Sequence, residues 1–281
     1  MSEELNERDF LFSDKDFEVI RSFVKEHTGI SLSDAKRNMV YGRLSRRLRF
    51  LNLKSFAEYM DVVKEPNSAE MVDFINAMTT NLTSFFREKH HFDYLKSTII
   101  PELLKANIST RRIRIWSAGC STGEEPYSLA MTLASSVPSL DTWDIKILAT
   151  DLDTNVLAHA ERGVYDIERI EGIPEDYRKR WFMKGRDGNA GSVRVSRKIR
   201  DLITFRKLNL MQSWPMKGPF DFIFCRNVVI YFDKETQKAL FDRYANLLIP
   251  QGHVFLGHSE SLFKVSTRFD LVGNTIYRKK D

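Results

Sequence analysis

Trp116-Ser-Ala-Gly-Cys-Ser-Thr-Gly-Glu-Glu-Pro-Tyr-Ser128 is the stretch on which the fold turns, because it joins a strand, a glycine turn and a helix start within a few residues. Just before and into it, Ile113, Ile115 and Trp116 give the segment from Arg112 to Trp116 the look of a buried strand. Gly119 and Gly123 bracket a turn where backbone can approach a ligand closely. The following residues predict a helix capped by Thr122, with Glu125 completing a Thr-x-x-Glu capping box and Pro126 in the first turn, where a missing N–H costs little. The glycine spacing is Gly-x-x-x-Gly rather than Gly-x-Gly-x-x-Gly, which disfavours a dinucleotide and favours a ligand without phosphates.

Downstream, Ile145 to Leu148 predicts a second apolar strand that ends in Ala-Thr-Asp-Leu-Asp. Asp151 then lies at a strand's carboxyl end, where open α/β sheets bind ligands, and an acid there suits a ribose diol; Asp153 is the better cap for the next helix. From Asn81 onward strand and helix patterns alternate, as in a doubly wound, mostly parallel sheet covered on both faces. Candidate strands are 112–117, 144–150, 203–207, 220–225, 252–258 and 270–278. Between Gly163 and Ile203 a glycine-rich cluster, 185–191, precedes the period-two run Val193-Arg-Val195, so a small antiparallel subdomain is expected over 163–203.

Residues 1–80 read differently. Residues 1–12 look frayed, Ser13-x-x-Asp16 caps a first helix with Phe17, Ile20 and Val24 inward, and Thr28-Gly29 stops it. Ser33 starts a second helix, Lys54 to Lys64 forms a third, and Asn67-x-x-Glu70 caps a fourth through Met78. The expected division is a small all-α domain over 1–80 and a sheet domain over 81–281.

The chain has 281 residues, 42% hydrophobic and 29% charged, enough for one sizeable core and a smaller second one. No apolar run approaches membrane-spanning length, the polar start argues against a signal or transit peptide, and Cys120 and Cys225 are expected as reduced thiols in a cytoplasmic protein. The formal charge of +5 is unevenly spread: Ala35 to Ala57 holds seven basic residues and no acidic one. At helical spacing Val40, Leu44, Leu48 and Leu51 form an apolar stripe, with Lys36, Arg43, Arg46 and Arg47 as a cationic rail beside it. A rail without interspersed acids accepts self-repulsion, which makes sense if a polyanionic partner docks.

Five motifs in order give the chain a family resemblance. They are Lys-Arg-Asn-Met-Val-Tyr-Gly-Arg-Leu-Ser-Arg-Arg-Leu (36–48), Thr-Thr-Asn-Leu-Thr-Ser-Phe-Phe-Arg-Glu (79–88), the stretch above, Ala-Thr-Asp-Leu-Asp (149–153) and Phe-Cys-Arg-Asn-Val-Val-Ile-Tyr-Phe-Asp (224–233). From about Phe17 to Tyr277 the chain resembles the CheR family of chemoreceptor glutamate methyltransferases. The resemblance implies a class I methyltransferase-like sheet domain, S-adenosyl-L-methionine as cofactor and S-adenosyl-L-homocysteine as product. It also implies cofactor contacts from Asn81, Thr83, Arg87, Glu125, Asp151, Asn227 and Val228, with Asn209 and Leu210 bracketing the adenine. Arg87 and Tyr231 are implied at the methyl-transfer centre. Lys36, Arg43, Arg46 and Arg47 would face the acidic cytoplasmic bundle of a membrane chemoreceptor, and the 163–203 insertion would take a receptor's C-terminal tail. A monomer recruited to receptor arrays is expected, with no membrane insertion and no nucleic acid. The alternative is a nucleic-acid methyltransferase, or a non-catalytic cofactor- or nucleic-acid-binding module, using the basic helix 34–51.

Methyl transfer to a glutamate needs no general base, because the acceptor is ionised at pH 7, about 2.7 units above its reference pKa of ~4.3. This agrees with the want of a His/Asp or Ser/His constellation near the glycine turn. The six histidines have no metal-binding spacing, and His90 and His91 are expected on different faces of a helix. Arg87 is expected exposed in a first helical turn capped by Ser84, where it opposes the helix dipole and calls for an anionic partner.

Overall fold

The computed structural model describes residues 9–281, so part of the stretch expected to be frayed lies outside the described residues. The chain divides into two compact units, one running to Thr80 and including Tyr231–Asp233, the other made of Asn81–Ile230 and Lys234–Asp281.

In the first unit the helices are α1 (Asp14–Thr28), α2 (Arg37–Leu51), α3 (Phe56–Lys64) and α4 (Glu70–Met78). Ser13 caps α1 as its sequence predicts: its Oγ accepts from Asp16 N at 3.1 Å, while the Asp16 carboxylate accepts from Ser13 N at 2.9 Å. Gly29 at φ +75° ends the helix in the left-handed conformation that glycine adopts without strain. Phe17, Ile20 and Val24 of α1 meet Val40, Leu44 and Leu48 of α2, with Tyr59, Met60, Phe74 and Met78 from the other two helices. The core also claims Phe12, which is buried rather than frayed and packs its ring 4.4 Å from that of Phe56.

The start of α4 departs from expectation. Asn67 turns the chain at φ +60° after Pro66, and the helix begins after Ala69 with no side-chain cap. Glu70 is used differently, as a buried carboxylate that accepts from Arg47 Nε at 2.8 Å, Arg47 Nη2 at 2.6 Å and Tyr59 Oη at 2.8 Å. Arg47 also pairs with Asp73 at 2.8 Å. Arg47 therefore leaves the cationic rail, since a carboxylate taken out of water must keep hydrogen-bond donors, and here a cation supplies most of them. Arg43 is likewise drawn inward, where its Nη1 donates to the Ala77 and Thr79 carbonyls at the end of α4, at 3.0 and 2.5 Å. Lys36 and Arg46 stay exposed.

The second unit is built on a seven-stranded sheet. Its strands are β1 (Arg112–Ala118), β2 (Asp144–Asp151), β6 (Ile203–Lys207), β7 (Phe220–Cys225), β8 (Leu248–Leu256), β9 (Phe269–Gly273) and β10 (Ile276–Lys279), in the order β6-β2-β1-β7-β8-β10-β9. The first five are parallel, and β10 runs antiparallel to both its neighbours. The expected strand at 270–278 is thus a hairpin, broken at Asn274-Thr275, and the strand expected from 252 begins earlier, at Leu248. Alternation along β1 sends Ile113 and Ile115 into one core, with Phe92, Leu95 and Leu129, while Trp116 meets Tyr244 and Trp214 on the other face.

The helices of this unit are α5 (His90–Tyr94), α6 (Ile100–Ala106), α7 (Glu124–Ser136), α8 (Thr154–Arg162), α9 (Glu175–Trp181), α10 (Arg197–Arg200) and α11 (Lys234–Leu247). The insertion forms a separate antiparallel sheet, β3 (Val164–Asp166), β5 (Ser192–Val195) and β4 (Phe182–Lys184) in that order. Val193 and Val195 are buried and Arg194 between them is exposed, the period-two pattern of a one-sided strand. Among the described residues, no helix is long and apolar enough to cross a membrane. Chain order reverses at β1, whose neighbours are β2 and β7, and in open α/β sheets the carboxyl ends of the strands at such a reversal are where ligands bind.

The two inward arginines are expected to differ from Arg46 in what they stabilise. Arg47→Met leaves Glu70 buried with only a phenol for partner, and urea unfolding should show a loss of about 3 kcal/mol, against about 0.5 kcal/mol or less for exposed Arg46→Met. Equal losses would show that the Glu70 pair adds nothing to the helical core.

Candidate functional site

At the carboxyl end of β1 the chain makes the glycine turn. Gly119 has φ +93°, and a Cβ there would sit 2.3 Å from Val228 Cγ2; Gly123 has φ +98°, and a Cβ would meet Ala160 Cβ at 2.8 Å and Tyr165 Oη at 2.9 Å. Both positions require glycine for conformation and for space. The turn is pinned to β2, because Gly119 N and Cys120 N donate to Thr150 O at 2.8 and 2.9 Å. Asp151 completes it, accepting from Ser121 N at 2.8 Å through Oδ2 and from Asp153 N at 3.0 Å through Oδ1. Burial pushes the Asp151 carboxyl up to about 6 against these amides. Each oxygen retains capacity for a further donor. Asp153 caps α8, as expected, accepting from Asn155 N at 2.8 Å.

The capping box predicted for α7 does not form. The helix begins at Glu124 after Gly123 in the left-handed conformation, with no side-chain cap. Thr122 Oγ1 instead donates to Glu124 Oε2 at 2.6 Å, and Arg169 binds the other Glu124 oxygen. Glu125, released from capping, is buried: Oε1 accepts from Ser117 Oγ at 2.7 Å and Oε2 from Arg226 Nη1 at 3.2 Å. Burial raises the Glu125 carboxyl above its ordinary range although Arg226 and Ser117 oppose it.

Residues 81–88 also differ from expectation. No helix opens at Ser84; the chain is irregular to His90, with Phe86 at φ +52° and Glu88 at φ +56°, and Phe86 N donates to Ser128 Oγ at 2.9 Å. Arg87 therefore does not oppose a helix dipole, and its Nη1 donates to Leu82 O at 2.9 Å. Its own carbonyl accepts from Arg226 Nη2. Asn81 Nδ2 donates to Asp153 Oδ2 at 2.8 Å, and Thr83 O accepts from Arg169 at 3.0 Å. Beyond β6, Asn209 Oδ1 accepts from Met211 N at 2.9 Å and Leu210 O from Arg243 Nη1 at 2.6 Å, while the Arg243 guanidinium lies 3.6 Å over Trp214. Beyond β7 come Arg226, Asn227 at φ +58° and Val228, so Asn81, Glu125, Asp151, Asn209 and Asn227 all gather at the carboxyl ends of adjacent strands. Tyr231 belongs to the other unit, where its carbonyl accepts from Ser31 N at 2.8 Å.

Arg226-Asn227 reads from the sequence as polar groups at the carboxyl end of the strand before them, but the partners of Arg226, the pairing of His258 with Glu88 and the convergence of His90 with His91 do not. Arg226 is buried, faces Glu125, and brings Nη2 to 3.4 Å from Glu88 Oε2. His258 Nδ1 lies 3.0 Å from Glu88 Oε1, a histidine and carboxylate paired across 170 positions. Burial acts to raise the Glu88 carboxyl, yet His258 and Arg226 together hold it below its usual range. His90 and His91 do not diverge: their rings are 4.1 Å apart and both Nε2 atoms lie 3.2 Å from Asn274 O. With Glu88 they offer ligand atoms within 4.8 Å of one another, but the Arg226 guanidinium already supplies positive charge to that carboxylate. For Arg226 the sequence carries the position, at the end of an apolar strand where charge is buried only when paired, but not the identity of its partner.

Residues 81–278 match the family described as CheR methyltransferase, SAM binding domain, and residues 15–79 match CheR methyltransferase, all-alpha domain. Chemotaxis protein methyltransferase 2 of Pseudomonas aeruginosa is 46% identical over 96% of this chain and 95% of its own length. The chemotaxis protein methyltransferase of Escherichia coli is 43% identical over 94% of this chain and 91% of its own, and that of Borreliella burgdorferi is 37% identical over 85% of each.

Removing the buried guanidinium tests the electrostatics of the site. Arg226→Met should destabilise the fold by about 3–5 kcal/mol at about pH 8, and by less at about pH 5. Without the cation, the Glu125 carboxyl rises further above its unfolded value, so the folded state holds more protons and loses stability as pH rises. Urea unfolding at the two pH values measures this, and an equal loss at both would mean that Arg226 does not neutralise a carboxylate.

Proposed function

The chain belongs to the CheR methyltransferase family, and we propose that it transfers a methyl group from S-adenosyl-L-methionine to side-chain carboxylates of glutamates in chemoreceptors, giving methyl esters. The observation that carries this reading is the overlap of the matched SAM-binding region with strand ends that gather Asp151, Glu125, Asn209 and Asn227. The donor set fits such a cofactor. Asp151 has acceptor capacity for a ribose diol, Glu125 is an acid suited to the amino-acid end, and the turn lacks a phosphate-binding glycine pattern.

When bound, the cofactor supplies an electrophilic methyl on sulfur. What remains for the chain is positioning and exclusion of water, together worth about 7–11 kcal/mol in well-oriented reactions. In this reading Asn81, Thr83 and Arg87 border the cofactor, Asn209 and Leu210 bracket the adenine, and Asn227 and Val228 close the other side. The Arg87 fork orients the acceptor carboxylate and the Tyr231 hydroxyl holds the attacking oxygen, and no proton has to move. The exposed His258 is not needed as a base, because the acceptor is already an anion.

The basic face of α2 is the proposed docking surface for the acidic cytoplasmic part of a chemoreceptor. Of Lys36, Arg43, Arg46 and Arg47, Lys36 and Arg46 carry its exposed charge, since the other two are engaged within the unit. In the small sheet, β3 and β4 each pair on one side only, which suits capture of an extended receptor tail as an added strand. We place the reaction in the cytoplasm at receptor arrays, with the protein acting as a monomer.

Incubation with methyl-labelled cofactor and chemoreceptor-bearing membranes should give a base-labile label that maps to glutamates. Label in nucleic acid, or label stable to base, would overturn the reading. The division of labour is checked by pairing two variants. Asp151→Asn should weaken S-adenosyl-L-homocysteine binding at least about tenfold, as expected for bonds to a charged acceptor of about 1.5–3 kcal/mol, while Tyr231→Phe should slow transfer with affinity within a few-fold. Only the carboxylate form of Asp151 accepts from both hydroxyls, so wild-type affinity should fall as pH drops through about 6, and the Asn variant should lose that dependence. Calorimetry showing the same affinity for Asp151→Asn and wild type would remove Asp151 from the ribose.

A further inference from the structure

Glu260 lies in the turn after β8 and is 4% exposed. Both of its oxygens are filled by main-chain amides. Oε1 accepts from Val228 N and Val229 N at 2.9 Å and from Ile230 N at 3.3 Å; Oε2 accepts from Asn227 N at 2.8 Å and Gly257 N at 2.6 Å. The turn that presents it is closed by Glu260 N donating to Gly257 O at 2.9 Å. Among the described residues no cation pairs with this carboxylate, so its charge is carried by oriented amides, as a helix N-terminus or an anion nest would carry it.

The consequence falls on residues 227–230. Asn227 sits at φ +58°, in the left-handed region that asparagine tolerates better than most non-glycine residues, with its amide fixed on Glu260. Val228 then presses Cγ2 into the space that the missing Cβ of Gly119 leaves open. The β7 loop is thereby joined to the glycine turn of β1. Gly257 is needed from the opposite side, because a Cβ there would stand 2.4 Å from Asn227 Nδ2 and 2.9 Å from Asn227 N.

We propose that Glu260 is a positioning residue for methyl transfer: its carboxylate gathers the amides of 227–230, shapes the Asn227-Val228 wall of the cofactor crevice, and so sets cofactor affinity without touching the cofactor. The proposal rests on the cofactor-binding reading above. It differs from a general stabilising role in where the damage falls. Replacing the acceptor by an amide puts an NH2 donor against amide donors, and the loop must then open.

The test measures S-adenosyl-L-homocysteine affinity by calorimetry on folded, full-length protein, with methyl-transfer kinetics alongside. Glu260→Gln should weaken binding at least about tenfold, as for loss of several bonds to a charged acceptor. Gly257→Ala, which leaves the carboxylate in place but pushes Asn227, should reproduce the same loss and carries the test if Glu260→Gln does not fold. Glu260→Asp, which retains the charge on a shorter arm, should recover part of the affinity. Leu103→Ala in α6, a buried residue of the sheet unit's core before the amino end of β1, is the control for lost stability and should bind as wild type does. Folded Glu260→Gln or Gly257→Ala with affinity within twofold of wild type, or a control that loses as much, overturns the proposal. Wild type failing to bind S-adenosyl-L-homocysteine would instead sink the cofactor reading itself.

Discussion

Buried carboxylates at the carboxyl edge of the sheet are the constraint around which this site is arranged. A carboxylate removed from water must find donors or give up its charge. Glu125, Asp151 and Glu260 are each buried there and each raised by burial, and each is satisfied by a different device. Glu125 has a guanidinium and a hydroxyl, Asp151 has the amides of a glycine turn and a helix start, and Glu260 has the amides of two loops. The elements that close the crevice are therefore held by the same groups that give it its polarity. A change at one acid is a change in loop geometry as well as in charge.

In the proposed transfer to a glutamate carboxylate, this arrangement lets the site be specific while performing little proton chemistry. An acceptor that arrives ionised asks for alignment and a dry surround, and both depend on loops that do not drift. Arg226 contributes on the same principle. It reaches Glu125, the Arg87 carbonyl and the neighbourhood of Glu88, so the irregular 81–88 segment and the end of β7 share one buried cation. The cost of burying it is offset only while all its partners remain, which makes the network cooperative.

Much of the fold was legible because local rules and tertiary packing agree. Ser13 and Asp16 form the box that their spacing announces, Gly29 ends α1, and Ile113, Ile115 and Trp116 alternate between the two faces of the sheet. Asp151 and the Asn209, Asn227 loops were recognisable as strand-end positions. The failures share a cause. Thr122 with Glu125, and Asn67 with Glu70, match the capping pattern, yet in both cases the acid is drawn into a buried pair with an arginine far along the chain. Sequence spacing reads contacts three or four residues apart and is blind to a partner 101 or 23 positions away. The same blindness hid the pairing of His258 with Glu88 and the convergence of His90 and His91 on Asn274.

The basic helix shows where charge counting stops being informative. Seven cations without an acid between Ala35 and Ala57 look like one electrostatic surface. In the folded unit that set divides: Arg47 neutralises Glu70 and Asp73, Arg43 ties down the end of α4, Arg37 pairs with Asp14 and Arg49 with Asp9, and Lys36, Arg46 and Lys54 remain exposed. The acids missing from the helix are supplied by other elements, so self-repulsion is relieved without an external partner. A polyanion meeting this face would thus encounter a few exposed charges on a framework tied together by the others. Such a surface favours electrostatic steering and salt-sensitive association over tight, desolvated pairing.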